Sequence, residues 1–170
     1  MKLAAFPTSG NNYMCGALDS GKTCRSGNLT YNNGTIGFYC GSGTAISTGA
    51  NTAMQNTEFS ITVQGTPLDY TQTKLTLEYG DVIKTPSDGS NTQVSSIPDG
   101  LNIWLFQVNG ASGAYAGKLY SFKMTGIKAD NTEVVLRNYK PCLKSDGAIG
   151  LYDTVSGAFF TNDGTGSFTA

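Results

Sequence analysis

Acid–base and nucleophilic chemistry in this 170-residue chain falls to twelve carboxylates and four thiols, because it contains no histidine. That absence removes Ser-His-Asp and Cys-His nucleophilic systems, His-ligated zinc and imidazole proton transfer. Paired carboxylates, the machinery of glycoside hydrolysis, are the enzymatic arrangement still open. The only glutamates are Glu58, Glu78 and Glu133, each alone on its expected strand. Glu78 and Asp81 are the nearest acidic pair, but Gly80 lies between them and an extended chain would send them to opposite faces. These carboxylates read as solvated surface groups, and the chain reads as non-enzymatic.

The thiols are Cys15, Cys24, Cys40 and Cys142. Four cysteines allow two disulfides in three pairings, and spacing does not choose among them. No paired Cys-x-x-Cys pattern suits zinc. Cys40 alternates in register with Ile36 and Phe38 and is expected as a core thiol, whereas Cys15 and Cys24 flank a loop and could bridge.

The elements that would position these groups read as strands. Phe59, Ile61 and Val63 alternate with Glu58, Ser60, Thr62 and Gln64, and Leu75, Leu77 and Tyr79 alternate with Lys74, Thr76 and Glu78. In Lys118 to Met124, Tyr120, Phe122 and Met124 share one face and Ser121 and Lys123 the other. Asp130-Asn131 supplies a turn before Val134 and Leu136 alternate with Glu133 and Arg137. Pro141 lacks a backbone donor and suits a strand end or a sheet edge. Ser145-Asp146-Gly147 predicts a tight turn, Ile149 to Tyr152 a strand, Asp153 to Gly157 a further turn and Ala158 to Thr161 a short strand. Leu101 to Val108 is apolar on both faces, which predicts a strand covered on both sides. Helical periodicity is missing throughout.

With 22 Gly, 9 Tyr, 8 Phe and 14% charged residues, the composition suits short strands joined by many turns, and the length suits one domain spanning 1–170. The fold class expected is all-β, a two-sheet antiparallel sandwich.

The wording of residues 117–168 carries a resemblance. Gly117-Lys118-Leu119-Tyr120-Ser121-Phe122-Lys123, the Val135-Leu136-Arg137 strand, Pro141-Cys142, Asp146-Gly147-Ala148-Ile149-Gly150-Leu151-Tyr152-Asp153 and Phe159-Phe160-Thr161-Asn162-Asp163-Gly164-Thr165-Gly166 follow one another in order. This phrase resembles the end of concanavalin A-like, laminin-G-type jelly-roll domains common in phage and prophage structural proteins of gut bacteria. Upstream, Gly34-Thr35-Ile36-Gly37-Phe38-Tyr39 and Asn102-Ile103-Trp104-Leu105-Phe106 stand where such domains have a Gly-Phe and an aliphatic-Phe strand. Such domains usually open with a further strand beside the C-terminal one. Here Met1-Lys2-Leu3-Ala4-Ala5-Phe6 stands without it, so that strand is expected to be trimmed or supplied by a partner.

The resemblance implies sites as well as a scaffold. Laminin-G-type domains often hold Ca2+ through loop carboxylates and carbonyls, which singles out Asp88, Asn91, Asp99 and Asp163, although the simpler reading, and the favoured one, is Asx residues closing turns through their own side chains. Sugar recognition in such folds needs an aromatic platform with amides nearby, which singles out Tyr31, Asn32 and Asn33 on a loop and Trp104 on a strand. Asn33-Gly34 is also the signature of a type I′ hairpin, and Trp104 sits in an all-apolar strand. Jelly-roll glucanases align two Glu and one Asp along a strand, an arrangement missing here. Tyr152 and Asp153 are expected to be structural, the first packing beside the sheet and the second accepting backbone hydrogen bonds across its turn.

A net charge of −1 with no charge runs gives nothing to recruit nucleic acid or an anionic membrane surface. The apolar stretch before Pro7 is too short for a signal-peptide core, and no apolar run reaches spanning length. The expectation is therefore a non-enzymatic virion component on a tail fibre, baseplate or capsid, assembled in host cytoplasm with its thiols reduced. Its expected partners are other virion proteins, its own copies in a homo-oligomer such as a trimer, or a cell-surface glycan. A secreted bacterial carbohydrate-binding lectin module is the alternative, and a glucanase the third reading.

Overall fold

The computed structural model describes residues 1–3, 12–18, 25–32, 35–41, 45–50, 56–66, 69–85, 104–105, 117–162 and 167–169, some strand residues by their backbone alone. None of the described residues is helical, and the strand pairings within the three-, four- and five-stranded sheets are all antiparallel. The all-β expectation therefore holds. The chain divides into two compact units, Lys2–Gly117 and Lys118–Ala170, the latter joined by Met1.

The larger unit opens with β1 (Lys2–Leu3), where Lys2 forms an isolated bridge to Glu58. A five-stranded sheet follows from β2 (Asn12–Leu18), β3 (Arg25–Asn32), β4 (Thr35–Gly41) and β5 (Ala45–Ala50). Its strand order is β5, β4, β3, β2 and then β9 (Trp104–Leu105) at the edge. Met14 and Ile36 are buried within it. The ladder between β4 and β5 shifts register between Thr35 and Gly37. There the Thr48 hydroxyl accepts the Ile36 N–H at 3.1 Å, so a side chain satisfies a buried donor that the interrupted ladder leaves.

β6 (Phe59–Thr66), β7 (Asp69–Tyr79) and β8 (Val82–Lys84) form a three-stranded meander. Phe59 faces Tyr79, Ile61 faces Leu77 and Val63 faces Leu75, which places the apolar positions of both strands on one side. Leu75 and Leu77 are both 0% exposed, while Ser60, Thr62, Gln64, Lys74 and Glu78 on the other side are exposed. The period-2 pattern in the sequence is thus the burial pattern of the hairpin. Tyr79 pairs with Val82 across Gly80-Asp81, and Gly80 takes φ of +53°, as the first position of a tight hairpin turn requires.

β10 (Gly117–Lys118) spans the boundary between the units. The C-terminal unit is a four-stranded meander in chain order: β11 (Phe122–Ile127), β12 (Glu133–Leu143), β13 (Ile149–Asp153) and β14 (Phe159–Phe160). Residues 119–121 are outside any strand, so the continuous strand expected over Lys118 to Met124 is two pieces. β12 runs through Pro141, which is thus no strand end but lies at an edge, with only β13 paired beside it. The reason is local. Lys144 N–H bonds Ala148 O and Thr154 N–H bonds Asn138 O, so even-numbered residues of β12 face β13 with their hydrogen-bonding groups. The missing donor of Pro141 therefore points toward β11, whose register with β12 ends at Phe122 and Tyr139. No ladder bond is lost.

Turns in this unit follow their residue chemistry. Asn131 takes φ of +64° while Asp130 Oδ1 accepts the Thr132 N–H, and Gly147 takes φ of +86° while Asp146 Oδ1 accepts the Ala148 N–H.

Candidate functional site

Of the residues singled out for sugar binding, Tyr31 and Asn32 end β3 and are strand residues, not loop residues. Asn32 pairs with Thr35, leaving two residues between the paired ends, which is the spacing of the hairpin that Asn-Gly favours. Asn33 itself lies outside the described residues. Trp104 pairs with Gly16 on β2, while Tyr31 pairs with Asn12 on the same strand. Four residues of β2 and two interstrand steps put the Tyr31 and Trp104 backbones roughly 16 Å apart. That backbone separation exceeds the width of one sugar ring. The remaining residues of Leu101 to Val108 lie outside the described set.

Asp88, Asn91, Asp99 and Asp163 likewise lie outside the described residues. Among the described residues no three carboxylates or thiols gather where they could hold a metal ion. Glu78 accepts a hydrogen bond from Ser60 Oγ at 2.9 Å across the β6–β7 hairpin, in accord with a surface role. Cys15 is half-buried on β2, Cys142 is a half-buried free thiol on β12, and the side chains of Cys24 and Cys40 are outside the description.

The densest polar constellation described is at Asp153. Its side chain is 0% exposed, yet every oxygen is engaged. Oδ1 accepts the Asn138 N–H at 3.0 Å and the Val155 N–H at 3.1 Å, and Oδ2 accepts the Ser156 hydroxyl at 2.7 Å. Arg137 Nε stands 3.7 Å from Oδ2. Withdrawal from water alone would raise this carboxyl, but the hydrogen bonds from Asn138, Ser156 and Val155, with the Arg137 charge, outweigh it and hold the pKa below the ordinary value. The backbone completes the knot: Asp153 N–H bonds Ala158 O and Gly157 N–H bonds Asp153 O, with Gly157 at φ of +72°. Asp153 is a turn-forming residue whose acceptors are all occupied, in agreement with the structural role expected.

Tyr152 stands differently. The registers place Phe122, Met124, Tyr139, Pro141, Leu143, Ile149, Leu151 and Phe160 on one face of the C-terminal sheet, mostly apolar but carrying the Arg137–Asp153 pair as well, and Lys123, Asn138, Lys140, Cys142, Gly150, Tyr152 and Phe159 on the other. On the apolar face Tyr139 packs against Phe122, with ring centroids 6.1 Å apart, and edge-on against Phe160 at 5.6 Å. On the polar face Tyr152 lies directly across from Lys140 and is 39% exposed. Phe159 beside it lies over Gly150, where an added Cβ would come within 2.8 Å of Phe159 Cζ, and Lys144 Nζ sits 5.2 Å from the ring centroid. Sequence alternation identified the two faces of β11 but put Arg137 on the same side as Glu133, whereas the register shift between Met124 and Thr125 places them on opposite faces. It did not show that Tyr152, Lys140 and Asn138 become neighbours, because that depends on the register of β12 against β13.

No protein-family model, no curated protein and no solved structure matches this chain.

Proposed function

We infer that this protein is a non-enzymatic accessory or adhesion module of a phage particle, built as a jelly-roll sandwich and presented on a tail fibre, baseplate or capsid, where it engages surface glycans. The observation that carries this reading is the C-terminal phrase. The residues resembling the ends of laminin-G-type phage domains fold as one antiparallel meander, β11 to β14, with most of its large apolar side chains on one face. Leu143 and Phe160 on the mostly apolar face are 60% and 45% exposed, and a second layer laid over them would complete a sandwich. The β6–β7 hairpin has the same asymmetry, with Leu75 and Leu77 on its buried side. Sandwiches serve many binding roles, so the assignment to a particle rests on the family likeness and not on chemistry in the fold.

The test is physical association. Particles purified on a density gradient from an induced lysogen or infected culture should carry the chain at a fixed ratio to the major capsid protein. Recovery of the chain only in the soluble fraction would overturn the assignment. For the sandwich, nuclear Overhauser contacts from the Phe122, Leu143 and Phe160 side chains to another sheet are expected, and solvent-exposed behaviour of all three would refute it.

A further inference from the structure

The polar face of the C-terminal sheet carries three lysines whose surroundings differ. Lys123 Nζ lies 3.7 Å from Glu133 and Lys144 Nζ lies 3.5 Å from Asp146, so both have acidic partners. Lys140 has no carboxylate within ion-pair distance among the described residues. It projects from β12 directly opposite Tyr152 on β13, and Asn138, two residues before it, stands on the same face opposite Lys123. Side chains paired across an antiparallel ladder sit about 5 Å apart at Cβ, and those two apart on one strand about 7 Å. An ammonium without an acidic partner among the described residues, an amide and an exposed phenol ring therefore meet within the footprint of one sugar. The Asn138 backbone N–H and C=O are already bound, to Asp153 and Thr154, which fixes the strand while leaving the amide side chain half-buried at the patch. The Tyr152 ring reaches back over the Asp153–Gly157 turn, its hydroxyl 3.9 Å from where a side chain at Gly157 would begin.

We propose that this face binds a carboxylated pyranose: the Tyr152 ring stacks on the sugar face, the Lys140 ammonium takes the carboxylate, and the Asn138 amide takes a hydroxyl. The inference rests on the glycan-adhesion reading above and gives it a ligand class. Charge decides the class. A neutral sugar would leave the Lys140 ammonium with water, whereas a uronate gives it a charge-assisted partner. The aromatic supplies the apolar contact that a phosphate or a simple polyanion would not use.

The experiment is isothermal titration of the full chain with polygalacturonate and, separately, with neutral dextran, at low salt. Polygalacturonate should bind and dextran should not. Lys140→Gln removes one charge-assisted contact and should weaken binding about tenfold or more. Tyr152→Ala should weaken it comparably, while Lys74→Gln, an exposed lysine on β7, should leave it unchanged. Both patch residues are exposed, so the variants should keep the wild-type circular dichroism. Equal affinity of wild type, Lys140→Gln and Tyr152→Ala would overturn the proposal, as would equal loss from Lys74→Gln. Dextran binding that survives Lys140→Gln would overturn the acidic ligand while sustaining glycan adhesion. Failure to bind either polymer would overturn the proposal and leave the particle-association test standing on its own.

Discussion

Leu77→Ala should be among the most damaging single truncations in the larger unit. Leu77 is 0% exposed, faces Ile61 across the β6–β7 ladder, and shares its side of the hairpin with Phe59 and Leu75. The substitution deletes three carbons, worth about 2.4 kcal/mol in transfer free energy at roughly 0.8 kcal/mol each. A residual cavity raises the cost to about 3–4 kcal/mol, since strands paired on both sides collapse only partly into the space. Ile83→Ala deletes the same number of carbons from β8, but Ile83 is 67% exposed, so only about a third of that transfer term applies, roughly 0.8 kcal/mol. Urea unfolding followed by fluorescence gives the comparison directly. The single tryptophan, Trp104, belongs to the larger unit and so reports on it. The midpoint should fall several times further for Leu77→Ala than for Ile83→Ala at similar slope. Equal shifts would refute the assignment of the Leu75–Leu77 side as the core face.

Three further outcomes are expected. Gly150→Ala should detach β14, because the new Cβ would overlap the Phe160 carbonyl oxygen and crowd the Phe159 ring; hydrogen exchange at the Asp153 amide, which donates to Ala158, should accelerate, and unchanged protection would refute it. The Asp153 carboxyl has a folded pKa below its unfolded value near 3.8, so its contribution is complete above that pH and is lost as pH falls through the folded value. Acid unfolding of the C-terminal unit should accordingly lose part of its pH slope in Asp153→Asn, and an identical slope would show that the carboxylate is not coupled to folding. Thr48→Val should cost about 1–2 kcal/mol by stranding the Ile36 N–H at the register shift, measured by the same urea titration, and a neutral result would mean that another acceptor replaces the hydroxyl.

Much of the local structure was legible. Alternation identified β6, β7 and the two faces of β11, Asp130-Asn131 and Ser145-Asp146-Gly147 identified their turns, and the acceptor role of Asp153 followed from its place before Gly157. These succeed because each is a short-range effect: period-2 burial, side chains that bond their own backbone, and glycine at positive φ. Pro141 stands not at a strand end but on a stretch of β12 beyond the reach of β11, the edge position its missing donor also allows, and which of the two applies depends on the neighbour its nitrogen faces.

What the amino-acid sequence determined by itself was the class of structure and the limits on its chemistry: an antiparallel β protein without histidine or clustered glutamates. What only the tertiary structure decided was adjacency. Arg137 comes to Asp153, Lys140 to Tyr152, and Tyr31 is separated from Trp104, each through cross-strand register. Register is a long-range choice made by whole apolar faces seeking cover, and no window of residues contains it.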